Sequence, residues 1–371
     1  METKNRLVLL DIIRAVGVIL MIEGHTVDAV LSPIYKNGSS TIFQFWTFFR
    51  GLTAPFFFFS AGLAFVVATV KSKDGVLVIS GRAKRRRVRR IVTLLTLGYA
   101  LHFPLELLYD PSSVTAEGWK TFLLVDALHV ISLSLLAILL IALAVRAEKK
   151  LAGIYSAAAV LSLLIAPLLE QVNWETFTSP AFYSYLTFRS GSYFTLFPFS
   201  AYLFAGAAFG AASMSLPMES RARFLSRNFL KASIVSIGLF LICYPVQQLF
   251  VSPDSDFWRV LPAINLLRFG IVASAASLIG LVSVRINRFP RILPAIGRSS
   301  LTIYVVHLMI VYGSPVNLGL YQLIPNGTHP VIAVLLAAGV ISLMIGMVFA
   351  IEAYRTRRRK ITAIAVGEAA E

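Results

Sequence analysis

Apolar windows of about 20 residues follow one another along the chain at 7–30, 43–69, 91–109, 121–145, 151–168, 193–213, 229–250, 260–284, 299–314 and 330–353. Each reads as a membrane-spanning helix. The first window, Leu7 to Leu31, is the most heavily interrupted: Asp11, Arg14, His25 and Asp28 fall within roughly a 100° arc of one helix face at about 100° per residue, and Glu23 points the opposite way. Arg14 and His25 stand three turns apart, about 16 Å at 1.5 Å per residue. Ionisable groups inside a spanning helix cost something like 2.5–3.5 kcal/mol each on insertion scales, so such a face predicts a functional cavity in the bundle interior. A bland alternative stands beside it, in which Asp11 pairs with Arg14 one turn on and His25 and Asp28 mark the helix exit.

Charge gives the layout a direction. Ten spans place 27 of the 34 lysines and arginines on one side: Lys4 and Arg6, the stretch from Lys71 to Arg90, Arg146 to Lys150, Arg221 to Lys231, Arg285 to Arg298, and Arg355 to Lys360. Lys36, Lys120, Arg189 and Arg259 lie on the other side, and Arg14, Arg50 and Arg268 remain inside spans. This bias predicts both termini in the cytoplasm. It sets His25 and Asp28 in the outer part of span 1, Asp11 and Arg14 in its cytoplasmic part, and Arg50 in the outer half of span 2. His102 and Glu106 end span 3 one turn apart, Asp126 and His129 open span 4 one turn apart, Tyr304 and His307 follow Arg298 in span 9, and His329 begins span 10. All five histidines then sit in the outer half, which favours a polar site facing outward.

Composition agrees with the pattern. With 371 residues, 57% hydrophobic, 14% charged and a mean hydropathy of +0.77, the chain is too apolar for an ordinary soluble domain. The expected fold is all-α, a polytopic integral membrane helical bundle of about ten transmembrane helices. Residues 1–353 form the membrane domain and residues 354–371 a cytoplasmic tail, basic then acidic. The first apolar run, about 24 residues, exceeds the 7–15 of a signal-peptide core and reads as an uncleaved span. A net charge of +16 is accounted for by the sided basic residues, so no nucleic-acid partner is expected. Cys243 is the single cysteine, which excludes an intrachain disulfide and a cysteine-based metal site. The densest basic run, Arg82 to Arg90, carries seven basic residues in nine positions. It suits an anchor on anionic lipid, and clustered guanidinium groups also recognise phosphates. No GxxxxGK[ST], HExxH or GxSxG motif occurs, which argues against a nucleotide-driven pump, a zinc protease and a standard serine hydrolase.

Five stretches in order carry a resemblance. Arg6-Leu-Val-Leu-Leu-Asp11-Ile-Ile-Arg14, followed by Met21 and His25, resembles the opening helix of the heparan-alpha-glucosaminide N-acetyltransferase-like membrane proteins, and is similar to the wider acyltransferase-3 superfamily. Arg50-Gly-Leu-Thr-Ala-Pro-Phe-Phe-Phe-Phe-Ser-Ala-Gly62, Asp126-Ala-Leu-His129-Val-Ile-Ser, Phe197-Pro-Phe-Ser-Ala-Tyr-Leu-Phe-Ala-Gly206 and Gly297-Arg298-Ser-Ser-Leu-Thr-Ile-Tyr304-Val-Val-His307 match next. Ala15 stands where the family usually has glycine.

The resemblance implies a transmembrane acyl-CoA-dependent acyltransferase of the cell's inner (plasma) membrane. It would move an acetyl or similar acyl group from cytosolic acetyl-CoA (acyl-CoA) to a sugar or glycan acceptor on the outer side. In that frame His25 is the expected general base, with Asp28 to orient it. Arg14 with Asp11 shapes the passage for the acyl-CoA arm, and Arg86, Arg87 and Arg90 contact its phosphates. Arg50, Asp126, His129, Tyr304 and His307 are expected around the acceptor and the developing oxyanion. No metal is expected. The lipid bilayer is a partner and a homodimer is left open. A proton-coupled transporter or exporter of an amphipathic solute would use the same ionisable residues as a relay, and a non-catalytic scaffold would make them needless.

Overall fold

The computed structural model describes residues 8–73, 75–145, 147–249, 256–285, 290, 292–314 and 317–368. Of the basic pattern, Lys4, Arg6, Arg146, Arg288 and Arg291 lie outside the described residues, as do residues 369–371 of the tail. The described chain is all-α apart from one small hairpin. Its principal helices are α1 (Val8–Val30), α2 (Thr41–Arg50), α3 (Thr53–Thr69), α4 (Gly81–Leu101), α5 (Ala127–Ala144), α6 (Glu148–Gln171), α7 (Leu196–Ala212), α8 (Met218–Gln248), α9 (Pro262–Arg285), α10 (Ile292–Arg298), α11 (Ser300–Tyr312) and α12 (Pro330–Glu368). Strands β1 (Lys71–Lys73) and β2 (Val76–Val78) pair antiparallel with Lys71 opposite Val78.

Among the described residues six helical segments are long and apolar enough to cross a membrane: Thr41–Thr69, Ala127–Ala144, Glu148–Gln171, Met218–Gln248, Pro262–Arg285 and Pro330–Arg358. A seventh follows if α10 and α11, bent by 77° at their junction, are taken as one crossing. The chain is thus a multi-pass helical membrane protein. Of the remaining windows, α1 has the length but carries Asp11, Arg14, Glu23 and Asp28, α4 gives its first half to the basic run, and α7 is short.

Local chemistry moves several boundaries. The basic run expected before span 3 is itself helical, because the Ser80 hydroxyl accepts the Ala83 amide and starts α4 at Gly81. That helix stops at Leu101, ahead of Pro104, so Glu106 opens a separate turn and does not continue the face of His102. The segment expected as one helix over 43–69 is interrupted at Gly51 and Leu52. At the other end α12 does not stop near 353 but runs through the start of the tail.

The chain divides into two compact bodies. In the first, residues 54–285, α8 packs along α9, α6 along α7, and α4 along α5. Where α3 crosses α7, Gly62 faces the Leu203 carbonyl and Gly206 faces the Phe59 carbonyl so closely that neither site has room for a Cβ. Two backbones meet there without side chains between them, the small-residue packing that membrane helices use in place of a hydrophobic driving force. Phe59, Phe209 and Phe229 fill the space beside that crossing, with ring centroids 4.9–5.9 Å apart.

The second body is discontinuous, built from residues 8–53 and 286–371. Here α1 is the central element and packs against α10, α11 and α12. Val27, Val30, Val311, Ala333 and Ala337 form a buried core at one end of it. The loops beyond that core are joined through the backbone: the Ser32 amide donates to the Thr328 carbonyl at 3.0 Å, and the Thr328 amide to the Val30 carbonyl at 2.7 Å.

Candidate functional site

The second body gathers most of the polar face expected on α1. His25 Nδ1 lies 3.1 Å from the Tyr312 hydroxyl at the end of α11, and the His25 ring meets the edges of His307 at 5.4 Å and Tyr312 at 5.7 Å between centroids. Its Nε2 makes no hydrogen bond among the described residues, and the residue is partly accessible. His307 is fully buried. Its Nδ1 donates to the Ile303 carbonyl at 2.8 Å, which fixes the proton there and leaves Nε2 as a buried acceptor without a partner. Tyr304 lies one turn before it, ring centroids 5.9 Å apart. One helix therefore presents a histidine and a tyrosine to the imidazole of another, with a second tyrosine against that histidine.

Beside this group Arg50 is ion-paired with Asp28. The arginine is positioned from three sides: its guanidinium lies 5.2 Å from the Trp46 ring centroid, Trp46 Nε1 donates to Glu23 at 2.8 Å, and the Arg50 stem lies over Gly24, where a Cβ would come within 2.7 Å of its Cγ. Asp28 was expected to orient His25. Its carboxylate instead neutralises Arg50, while its carbonyl accepts Lys36 Nζ at 2.6 Å, and the partner of His25 is the tyrosine. At the opposite end of α1, Asp11 is buried and Arg14 half-buried.

The first body holds a second histidine group. Asp126 caps α5, its Oδ1 accepting the Leu128 and His129 amides at 2.8 and 3.2 Å. His129 completes a capping box from the third helical position: its Nδ1 lies 3.1 Å from the Asp126 amide and 2.8 Å from Oδ1. The ring is fully buried against Gly98, where a Cβ would come 2.7 Å from its Cε1, and against Tyr99 at 4.3 Å between centroids. Nε2 is buried and unbonded. His102 Nε2 approaches the other oxygen of Asp126 at 3.8 Å, and the Tyr99 and Tyr185 hydroxyls lie 2.8 Å apart next to the ring.

The basic helix α4 belongs to the same body. Arg86 and Arg90 are exposed one turn apart, whereas Arg87 is half-buried, donating to the Ala68 carbonyl at 3.1 Å with its guanidinium 5.4 Å from the Phe65 ring centroid. Among the described residues no group of three or more histidines, cysteines and carboxylates is placed to hold a metal ion.

Sequence reasoning paired His25 with Asp28 by helical spacing and passed over Tyr312, five residues beyond His307. A tyrosine at the end of an apolar helix carries no polar signal of its own, and only the packing of α11 on α1 brings it to His25. Tyr99 and Tyr185 were missed for the same reason.

A family model described as heparan-alpha-glucosaminide N-acetyltransferase, catalytic, matches residues 6–249. No curated protein and no solved structure gives a significant match to the chain.

Proposed function

The chain belongs to the family of heparan-alpha-glucosaminide N-acetyltransferase catalytic domains, and from that premise we propose that it transfers an acetyl group from cytosolic acetyl-CoA to a sugar or glycan acceptor across the cell's inner membrane. Family membership supports a membrane acetyltransferase acting on glycans over a transporter or a scaffold. The reading of about ten spans with both termini cytoplasmic is kept as part of this proposal, with the charged α1, the basic-ended α4 and the short α7 counted among the crossings.

In this reading His25 is the general base. With its Nδ1 proton donated to the Tyr312 oxygen, Nε2 presents a lone pair at the accessible edge of the ring. As the acceptor hydroxyl or amine attacks the thioester carbonyl, its proton passes to Nε2. The carbon–sulfur bond breaks, and the CoA thiolate leaves and takes up that proton. Tyr312 holds the ring and stabilises the imidazolium, Tyr304 and His307 wall the acceptor side, and the Arg50 guanidinium, held over Gly24, faces the developing oxyanion. Arg14 and Asp11 line the passage for the acyl-CoA arm. Arg86 and Arg90 hold its phosphates, with Arg87 fastening their helix to the end of α3.

The observation that carries the proposal is the histidine of the family-matched segment, partly accessible and held at Nδ1 by a tyrosine, with no donor among the described residues on Nε2. The test is acetyl-CoA binding and slow thioester hydrolysis by detergent-purified protein, wild type beside Arg14→Ala and His25→Ala. Saturable binding weakened by the first change, with thioester loss abolished by the second, is the expected result. Folded protein that does not bind acetyl-CoA, or a His25→Ala variant with wild-type hydrolysis, refutes it.

A further inference from the structure

The hairpin of β1 and β2 belongs to the body of residues 54–285. Val70 alone separates it from α3, and Ile79 and Ser80 separate it from α4. Its turn is fastened to the junction of α5 and α6: Val76 forms an antiparallel bridge with Ala147, and the Glu148 amide donates to the Gly75 carbonyl at 3.1 Å. The segments Thr41–Thr69, Ala127–Ala144 and Glu148–Gln171 are all long and apolar enough to cross a membrane, and the hairpin stands where the first two end and the third begins. It therefore lies at the level where the apolar core of a bilayer gives way to headgroups.

Period-two alternation gives this hairpin two unlike faces. Val76 and Val78 are 50% and 46% exposed, and Leu77 between them is half-buried. Residues directly opposite in an antiparallel pair share a face, and the register sets Lys71 opposite Val78 and Lys73 opposite Val76. Two valines are thus held away from the protein on the face that carries the exposed Lys71.

The charge around them is almost all of one sign. Residues 71–90 and 146–150 carry twelve lysines and arginines against Asp74 and Glu148, and Arg82, Lys84 and Arg85 are exposed at the start of α4. That excess holds whichever of these groups pair with one another. A valine pair rimmed by cations matches a headgroup layer rich in anionic lipid, where apolar side chains reach the acyl boundary and long basic side chains keep their charges among the phosphates. An acidic soluble partner would meet the cations, but it would not place the valines in an apolar layer at the ends of three spans.

We propose that the β1–β2 hairpin docks on the anionic headgroup layer of the bilayer, with Val76 and Val78 at the acyl boundary and Lys71, Arg82, Lys84 and Arg85 at the phosphates. This contact depends on the multi-pass fold alone and not on the reaction proposed above. Full-length protein carrying Val78→Cys and Cys243→Ser is labelled with an environment-sensitive fluorophore and reconstituted in vesicles of phosphatidylcholine, or of equal parts phosphatidylcholine and phosphatidylglycerol. Quenching by a phosphatidylcholine spin-labelled near the top of its acyl chain is measured beside quenching by iodide in the water. In the mixed vesicles the lipid quencher is expected to remove at least half of the emission and iodide little, and in phosphatidylcholine alone the lipid quenching should be at least twofold weaker. Lys71→Glu, which sets a carboxylate opposite Val78, should lower it at least twofold in the mixed vesicles.

Iodide quenching without lipid quenching overturns the proposal. So does energy transfer between labelled copies in place of lipid quenching, which would mean that a second copy covers the face. Equal lipid quenching in the two kinds of vesicle, or in Lys71→Glu and its parent, overturns the anionic contact. Should Val78→Cys yield no folded protein, a label at Val76→Cys reads the same face with the same expected outcomes.

Discussion

Each body of the molecule holds a histidine whose Nδ1 is within hydrogen-bond distance of a neighbour, but the two rings are in opposite situations. His25 sits with Nδ1 on a tyrosine hydroxyl, partly accessible, on a helix that carries three other charged or polar groups on the same face. His129 sits with Nδ1 on the aspartate that caps its own helix, the pairing that resembles an acid–base dyad, and yet its ring is sealed between Gly98 and Tyr99. A carboxylate beside an imidazole raises expectations of catalysis, but a base must also reach a proton. Here the better-partnered histidine serves the end of a helix, and the less obviously partnered one is partly accessible.

This contrast can be broken by substitution. The largest effect is expected at His25→Ala, which should lower kcat by about 10²–10⁴-fold, the usual contribution of general base catalysis, with acetyl-CoA binding retained in an equilibrium assay. Next is Tyr312→Phe, which keeps the ring packing and removes the bond to Nδ1. A loss of about 1.4 kcal/mol of transition-state stabilisation corresponds to roughly tenfold in kcat, and KM for acetyl-CoA should stay unchanged. His129→Ala should act on the fold, because it empties a buried site and removes one half of a cap. Those two losses together are worth about 2–4 kcal/mol of stability, read as a lower Tm, with activity lost only as folded protein is lost.

The glycines give a finer test of the same difference. Gly98→Ala should cost about 1–3 kcal/mol, since the new methyl meets an imidazole that is locked in place. Gly24→Ala should cost about 1 kcal/mol, because the methyl meets Arg50 Cγ at 2.7 Å and shifts a guanidinium whose pair with Asp28 is about one-third exposed and worth ~1 kcal/mol or less. Equal losses at the two glycines would mean that the rings are held alike and that the contrast drawn between them is wrong.

Much of this was legible in the order of residues. Hydropathy alone gives the all-α membrane class. Helical spacing puts Asp11, Arg14, His25 and Asp28 on one face, and the motif Asp126-Ala-Leu-His129 marks a helix start as readily as a site. The partnerships were not legible, because they depend on which helices pack together. Spacing alone assigns Asp28 to His25 when the carboxylate is taken by Arg50, which arrives from another helix through the gap that Gly24 leaves.

The discontinuity of the second body also orders events in time. Its first segment ends at residue 53 and its second begins at 286, with residues 54–285 of the other body encoded between them. At 5–20 residues per second, roughly 12–46 s of synthesis separate α1 from the helices α10, α11 and α12 that cover it. During that interval Arg50 and Lys36 are already made to meet Asp28, whereas His25 waits for Tyr312 and His307 of α11. A ribosome-bound intermediate of this protein therefore carries its most polar helix without α10, α11 and α12, the helices that pack on it, until translation passes α12.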